Sequence, residues 1–305
     1  MTLVEIEGRQ VKLSNLDKVL YPEAGFTKGQ VIDYYMRIAP ALVRQIQGRP
    51  LTLKRYPNGV DGEFFYEKQC PSHRPPWVQV APVWSGQNVR TINFCLVEDL
   101  PTLIWVANLA SLELHTALHR AVGSRGTPDE TWTPDMVVFD LDPGEPAAFP
   151  ECAQIGLWLR ESLDGLGLSS FPKTSGSKGL QVYVPLNTPV TYDETKSFAR
   201  AMAQVGERAH PKLVVSNMAK DLRKGKVLID WSQNDEHKTT VSVYSLRARP
   251  NPTVSAPLHW SEVEAAAAGG PVPRIEAGEA VRRLEADGDL FDPLLELEQR
   301  LPAFG

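Results

Sequence analysis

This sequence has little cysteine: Cys70, Cys95 and Cys152 are all it holds in 305 residues. An odd count at scattered spacings argues against a disulfide framework and points to a reducing compartment. Cys70 and His73 form a C-x-x-H pair, but no good second ligand pair accompanies it, which weighs against structural zinc. Long apolar runs are missing too. None approaches the ~20 residues that cross a bilayer. The N-terminal stretch MTLVEIEGRQVKLSNLDK has no basic region followed by an apolar core, so no secretory signal is read there. A basic surplus is also absent: 32 Lys and Arg face 37 Asp and Glu, for a net charge of −5. That balance speaks against a broad nucleic-acid surface. It does not exclude a small one, because basic residues cluster at Lys12/Lys18/Lys28, Lys54/Arg55 and Arg223/Lys224/Lys226, while the acidic excess lies largely in the C-terminal third.

The remaining composition is that of an ordinary globular chain, 42% hydrophobic and 23% charged. No internal repeat is present, and AAAAGGPVP (265–273) is the clearest linker-like stretch. Thr27 with Gln30 forms a capping box that opens a helix over 27–47, with Pro40 inside it. RPLTLKRYP reads as a strand, FFYEK follows, and VWSGQNVRTINFCLV reads as a hairpin around SGQN. LPTLIWVANLASLELHTALHR has Leu103, Val106, Leu109 and Leu112 at helical spacing and is expected to be helical. From about 131 to 249 the order is β-α-β-β-α-β-β, including a helix capped by Asp193. That alternation predicts an α+β mixed sheet with helices on one face, in the ferredoxin-like or RNA-recognition style.

The chemistry concentrates in three pieces. MVVFDLDPG runs four apolar residues into Asp140, with Asp142 two positions on, so both carboxylates leave one face of a strand. Like charges so close are unfavourable unless a proton or a cation lies between them. The alternative is a strand end capping the turn DPG. VLIDWSQ repeats the pattern at Asp230, and three carboxylates on one sheet edge suit hard divalent cations and phosphoryl transfer. KTSGSKGLQVYVP places Ser175, Gly176, Ser177, Lys178 and Gly179 between strand-like runs. It lacks the Walker spacing but could cradle an anion.

These motifs resemble the polymerase domain of bacterial ATP-dependent DNA ligase D, of the archaeo-eukaryotic primase superfamily. So do LSNLDKVLYPEAGFTKGQVIDYY, LTLKRYPNGVDGEFFYEK, LELHTALHR and YSLRARP, all collinear over roughly residues 10–250. The resemblance implies a primase-polymerase fold in which an RRM-like catalytic lobe (126–250) packs on an N-terminal α/β lobe (1–125), with a C-terminal segment (251–305) on the core. It implies that Asp140, Asp142 and Asp230 are catalytic metal ligands for manganese or magnesium in a two-metal site. Lys54, His115, Ser175, Lys178, Gln181 and Arg247 would bind the nucleotide, Phe64 and Phe65 would stack on a base, and Asn15, Lys18, Lys28 and Arg55 would bind a DNA 5′-phosphate. The family usually reads S-G-x-K-G-L-H; here the last position is Gln181, which implies altered triphosphate handling.

The implied activity is that of a template-directed nucleotidyltransferase, a DNA-directed DNA/RNA polymerase that prefers ribonucleotides. It would fill short gaps or ends in DNA repair, in end joining or excision repair. The implied partners are DNA with a 5′-phosphorylated gap or break, an NTP or dNTP, an ATP-dependent DNA ligase acting in trans, and Ku, with no membrane. The expected setting is the bacterial cytoplasm, at the nucleoid. No ligase or phosphoesterase motif follows, so a stand-alone protein is expected. Three rivals are a primase that starts strands from nothing, a non-catalytic module that bridges DNA ends, and a metal-dependent nuclease.

Overall fold

A computed structural model describes residues 1–86, 88–121 and 132–302. The expected lobe boundary at 125/126 and the Gln87 position of the SGQN turn lie outside those residues.

In chain order, the elements begin with β1 (Thr2–Ile6), β2 (Arg9–Leu13), β3 (Val19–Tyr21) and β4 (Phe26–Thr27). α1 (Lys28–Ile46) starts on the expected box, with Thr27 Oγ1 accepting from Gln30 N–H and the Gln30 side chain accepting from Thr27 N–H. It buries Val31, Tyr35, Ile38, Leu42 and Ile46 along one stripe. Next come β5 (Leu51–Arg55), β6 (Phe65–Glu67), β7 (Val80–Ser85), β8 (Arg90–Cys95), α2 (Leu100–Asn108) and β9 (Ser111–Thr116).

The helix expected over 100–120 is therefore two elements. α2 stops at Asn108, Ala110 takes a left-handed backbone (φ 57°), and the chain leaves as a strand. The helical spacing is genuine only as far as Leu109. Beyond it Leu112 and Leu114 alternate with Glu113 and His115 at the strand period of two, and the two leucines are fully buried.

The second half continues with β10 (Met136–Pro143), α3 (Phe149–Gly165), β11 (Phe171–Thr174), β12 (Leu180–Pro185), α4 (Tyr192–Ala209), β13 (Val214–Val215) and β14 (Val227–Asp230). Thr191, not Asp193, caps α4. Its hydroxyl accepts from Glu194 N–H, and Asp193 lies within the first turn. The chain closes with β15 (Thr240–Val241), α5 (Trp260–Ala267), α6 (Ala277–Asp287) and α7 (Pro293–Glu296); the AAAAGGPVP stretch forms the end of α5 and the coil after it.

The chain forms two units. The first comprises Met1–Trp132, Thr239–Val254 and Ile275–Asp289, and the second Thr133–Lys238, Ser255–Arg274 and Leu290–Gly305. The segment expected as one C-terminal block is thus shared between them. TTVSVYSLRARP also changes place: β15 pairs with β9 of the first unit instead of extending the sheet of the second.

The first unit is built on a sheet in the order β15-β9-β5-β8-β7, with β6 also paired to β5. Cys70 and Cys95 are joined in a disulfide there, contrary to the expectation from their spacing. The backbone N–H of Cys70 bonds the carbonyl of Asn93 in β8, which brings together cysteines 25 apart in sequence. The disulfide also removes Cys70 from any C-x-x-H zinc site.

The second unit has the sheet order β11-β12-β10-β14-β13, all neighbours antiparallel except β13 with β14. α3 and α4 cover one face. Phe139 meets Phe198 of α4, and a Cβ on Gly156 of α3 would sit 2.5 Å from Leu180. This is the expected α+β arrangement.

Candidate active site

The alternation of β10 turns Phe139 and Leu141 under the helices and Asp140 and Asp142 to the opposite face. Register then does the rest. Asp140 stands directly opposite Asp230 on β14 and opposite Gln181 on β12, while Gln181 stands opposite Lys173 on β11. Directly opposed residues share a face, so Lys173, Gln181, Asp140 and Asp230 form one row across four strands. Crowding raises the Asp140 carboxyl to about 7. Burial is the main cause and the Asp142 charge comes next; Asp230 adds to it, while a hydrogen bond from Gln181 and the charge of Lys173 act against it. Asp230 accepts from Ser232 N–H (2.9 Å) and Gln233 Nε2 (3.1 Å).

The three carboxylates offer only hard oxygen donors with a surplus of negative charge, the donor chemistry that magnesium or manganese takes. As placed, no group of three or more His, Cys, Asp or Glu among the described residues closes to metal-holding distance.

The SGSKG loop is tied to β10 by a close backbone approach. A Cβ on Gly179 would lie 2.3 Å from Leu141 O. Its N–H groups are used internally: Gly176 N–H bonds Thr174 Oγ1 (3.0 Å), and Ser177 and Gly179 N–H bond Ser175 Oγ (3.2 and 3.0 Å). Ser175 is buried and closes the loop, where the sequence suggested N–H groups open to an anion. Lys178 is exposed and pairs with Glu145 at 2.6 Å. Gln181 is buried, with Tyr183 Oη 3.4 Å from its Oε1.

The first unit carries a row of its own. Tyr66 on β6, Lys54 on β5 and Glu113 on β9 are successive cross-strand partners, and His115 lies two residues beyond Glu113. Glu113 accepts from His115 Nε2 (2.9 Å) and Ala248 N–H (3.1 Å), and it pairs with Lys54 (3.6 Å) and Arg247 (3.5 Å). Arg247 is carried by a well-anchored segment: Tyr21 Oη donates to its carbonyl, Tyr35 Oη accepts from Leu246 N–H, and Ser245 Oγ accepts from Leu114 N–H. The Lys54 ammonium lies 4.3 Å from the Phe64 ring centre, and 5.2 and 5.5 Å from those of Tyr56 and Tyr66. Burial lowers the pKa of Lys54 and of His115, and Glu113 opposes both shifts. Burial would also raise Glu113. The His115 hydrogen bond and the Arg247, His115 and Lys54 charges outweigh it, holding that carboxyl well below the ordinary range.

Strand parity splits the aromatic run. Phe64 and Tyr66 attend Lys54, while Phe65 pairs with Arg55 on the other face and lies 5.1 Å from its guanidinium. All three rings are exposed. Arg55 belongs to a cavity of about 640 Å³ whose lining includes Lys12, Ser14, Asn15, Lys18, Lys28 and Arg55. Lys28 donates to Ser14 O (2.7 Å), Lys18 to Asn58 Oδ1 (3.0 Å), and Arg55 to Glu67 (2.9 Å) and Leu109 O (2.9 Å). Burial, then the charges of Lys18 and Arg55, lower Lys28 to about 8. The structure thus gathers Asn15, Lys18, Lys28 and Arg55 in one pocket, as the resemblance groups them.

The residues expected to bind the nucleotide fall in separate sets. Lys54, His115 and Arg247 meet Glu113 in the first unit, with Phe64 against Lys54 and Phe65 on the other face of the strand, and Ser175, Lys178 and Gln181 belong to the second. Sequence reasoning missed Glu113, Tyr66, Lys173, Ser14 and Asn58. The period-two pattern in LELHT would have found Glu113; nothing local marks the other four.

A family model described as the LigD primase-polymerase domain matches residues 27–291. The chain is 42% identical over 287 residues to the multifunctional non-homologous end joining protein LigD of Mycobacterium bovis, covering 94% of this chain and 37% of that protein. It is 43% identical to its Mycolicibacterium smegmatis counterpart over 93% of this chain and 36% of that one. The bifunctional LigD of Bacillus subtilis is 32% identical over 84% of this chain and 40% of its own length. The chain therefore spans well under half of each of these relatives. Among solved structures, the polymerase domain from Mycobacterium tuberculosis ligase D in complex with DNA superposes with a TM-score of 0.86. Identity there is 41%, over 93% of this chain and 98% of that one.

Proposed function

Because this chain belongs to the LigD primase-polymerase domain family, we propose that it is a template-directed nucleotidyltransferase of DNA repair. It would extend a primer 3′-end at short gaps or broken ends, with ribonucleotides preferred. The observation that carries this reading is the carboxylate row: Asp140 opposite Asp230, with Asp142 two positions along the strand. Those three side chains would hold divalent cations, manganese or magnesium. Such ions would supply charge neutralisation and Lewis acidity at the phosphate undergoing displacement.

The chain's own residues do the remaining work. Gln181 beside Asp140 and Lys173 one strand beyond favour its ionised form. In the first unit, Lys54, His115 and Arg247 would bind the triphosphate through charge-assisted hydrogen bonds. Phe64 and Tyr66 offer exposed faces on which a base can stack. The Lys18/Lys28 pocket would take the 5′-phosphate across the gap, making recognition salt-dependent and indifferent to sequence. Neutral Gln181 stands where the pattern S-G-x-K-G-L-H implied by the resemblance has histidine, and would change triphosphate handling without abolishing it. A separate ATP-dependent ligase would seal the product, and Ku would hold the ends.

The test is extension on a one-nucleotide gap, with and without a 5′-phosphate and with NTP against dNTP. The proposal expects metal-dependent addition, faster with NTP and faster when the phosphate is present. No addition under any condition would sink the enzymatic reading; phosphate-independent addition would remove the role given to Lys18 and Lys28.

A further inference from the structure

The carboxylate of Glu113 is almost fully buried, and it touches more charged partners than any other acid described above. It lies between two strands and a segment that are distant in sequence. Lys54 comes from β5, His115 shares β9 with Glu113, and Arg247 comes from the stretch after β15. The Ala248 N–H bond to Oε1 ties the backbone of that last stretch to the same group. Oε1 meets Lys54 and Ala248, and Oε2 meets His115 and Arg247, so both oxygens are committed to the protein. A group so enclosed does not reach a ligand; it acts through the side chains that contact it.

We propose that Glu113 is the positioning residue of a polyphosphate-binding cluster: its one carboxylate holds Lys54, His115 and Arg247 together and preformed for a nucleoside triphosphate. The inference rests on the reading of that cluster as the triphosphate site. Two permanent cations and an imidazole around one carboxylate leave a positive surplus, which an incoming polyphosphate can use. Without the carboxylate, the cations repel one another and lose their common anchor. The lowered pKa of Glu113 agrees with a group that stays ionised throughout the working range.

A simple counter-charge predicts the opposite result from a positioning residue. Neutralising a counter-charge tightens binding to an anion; removing an organiser weakens it. The test uses the full chain carrying Glu113→Gln, with binding of ATP and of inorganic tripolyphosphate measured by calorimetry. Thermal melting and an NMR titration of His115 complete it. The expectation is at least tenfold weaker binding of both probes by a folded variant, with the His115 midpoint moved down because Glu113 favours the charged ring. Unchanged or tighter binding by the folded variant overturns the proposal. If Glu113→Gln does not fold, Glu113→Asp keeps the charge but withdraws it by one methylene. Weakening of threefold or more then supports the proposal, and wild-type affinity overturns it.

Lys54→Met and Arg247→Met separate the two levels. If both bind ATP like the wild type, the cluster is not a triphosphate site and the underlying reading fails. If both weaken binding and Glu113→Gln does not, only the positioning role falls.

Discussion

The two units solve one geometric problem with opposite signs. Each lines up polar side chains in a row across neighbouring strands, where register alone forces them together. In the first unit the row is Tyr66–Lys54–Glu113, and the His115 imidazole and the Arg247 guanidinium join a single buried carboxylate. In the second it is Lys173–Gln181–Asp140–Asp230, where one buried lysine and an amide face three carboxylates once Asp142 is counted. The consequences appear in the proton affinities. The lone acid of the first row is driven down, and Asp140 of the second is driven up to about 7. A sheet can therefore hold like charges at a spacing they would not choose, leaving one site short of anions and the other short of cations. The first suits a polyphosphate and the second a divalent ion.

The sharpest way to break the contrast is to empty the anionic row. Asp140→Ala with Asp142→Ala should reduce nucleotide addition by about 10³-fold or more, an effect of several kcal/mol on the barrier. ATP binding by the first unit's cluster should change little. Single-turnover extension beside calorimetry reads both quantities. Equal loss of binding and of turnover would show that the carboxylates serve affinity, not chemistry.

A structural break comes next in size. Gly179→Ala places a methyl 2.3 Å from the carbonyl oxygen of Leu141, the residue between Asp140 and Asp142. Backbone cannot yield as a side-chain tip does, so the variant should lose about 3 kcal/mol of stability, seen in denaturant melts. Metal-dependent addition should suffer with it. Gly8→Ala is the control: its Cβ would meet nothing within 4 Å, though its φ of +74° carries its own strain.

How much of this was legible beforehand differs between the rows for a physical reason. The carboxylates announce themselves, because an apolar strand ending in Asp is conspicuous at both Asp140 and Asp230. Their partners do not. Lys173 reaches the row only through the pairing of β11 with β12, which fixes it eight positions from Gln181 and cannot be counted without knowing the turn. In the first unit the misread helix concealed Glu113. Leu103, Val106, Leu109 and Leu112 satisfy helical spacing even though the helix stops at Asn108, and Ala110 adopts a conformation that glycine usually marks. The disulfide was hidden likewise, since the bond from Cys70 N–H to Asn93 O on β8 brings Cys70 and Cys95 together from 25 residues apart. What propensity and periodicity encode was readable; what register encodes was not.

Protonation separates the units on a smaller scale. Lys28 has its pKa lowered to about 8 by burial and by Lys18 and Arg55. The ordinary value is higher, so between about pH 8 and 10.5 the folded chain binds fewer protons than the unfolded one. Stability from this group therefore rises with pH across that window, while attraction for a phosphate falls. Affinity for a 5′-phosphorylated gap should drop through pH 8 to 9.5, by at most about tenfold per pH unit for one proton. A 5′-hydroxyl gap should show no such drop, and Lys28→Arg should flatten the profile. Anisotropy titrations on the two substrates decide it; parallel profiles would mean that Lys28 does not meet the phosphate.

The smallest expected effect isolates what burial contributes. Lys178 and Lys54 are both assigned to the triphosphate, yet Lys178 is mostly exposed and pairs with an equally exposed Glu145, whereas Lys54 is enclosed by rings and a buried carboxylate. Solvent screens the first pair, so its loss should leave stability almost unchanged. Lys178→Ala should then raise the nucleotide KM only severalfold, with kcat nearly unchanged and the increase shrinking in high salt. Steady-state kinetics at two ionic strengths measure this directly. A salt-independent loss of kcat would place Lys178 among the groups that act on the reacting phosphate, enclosed only when substrate supplies its surroundings.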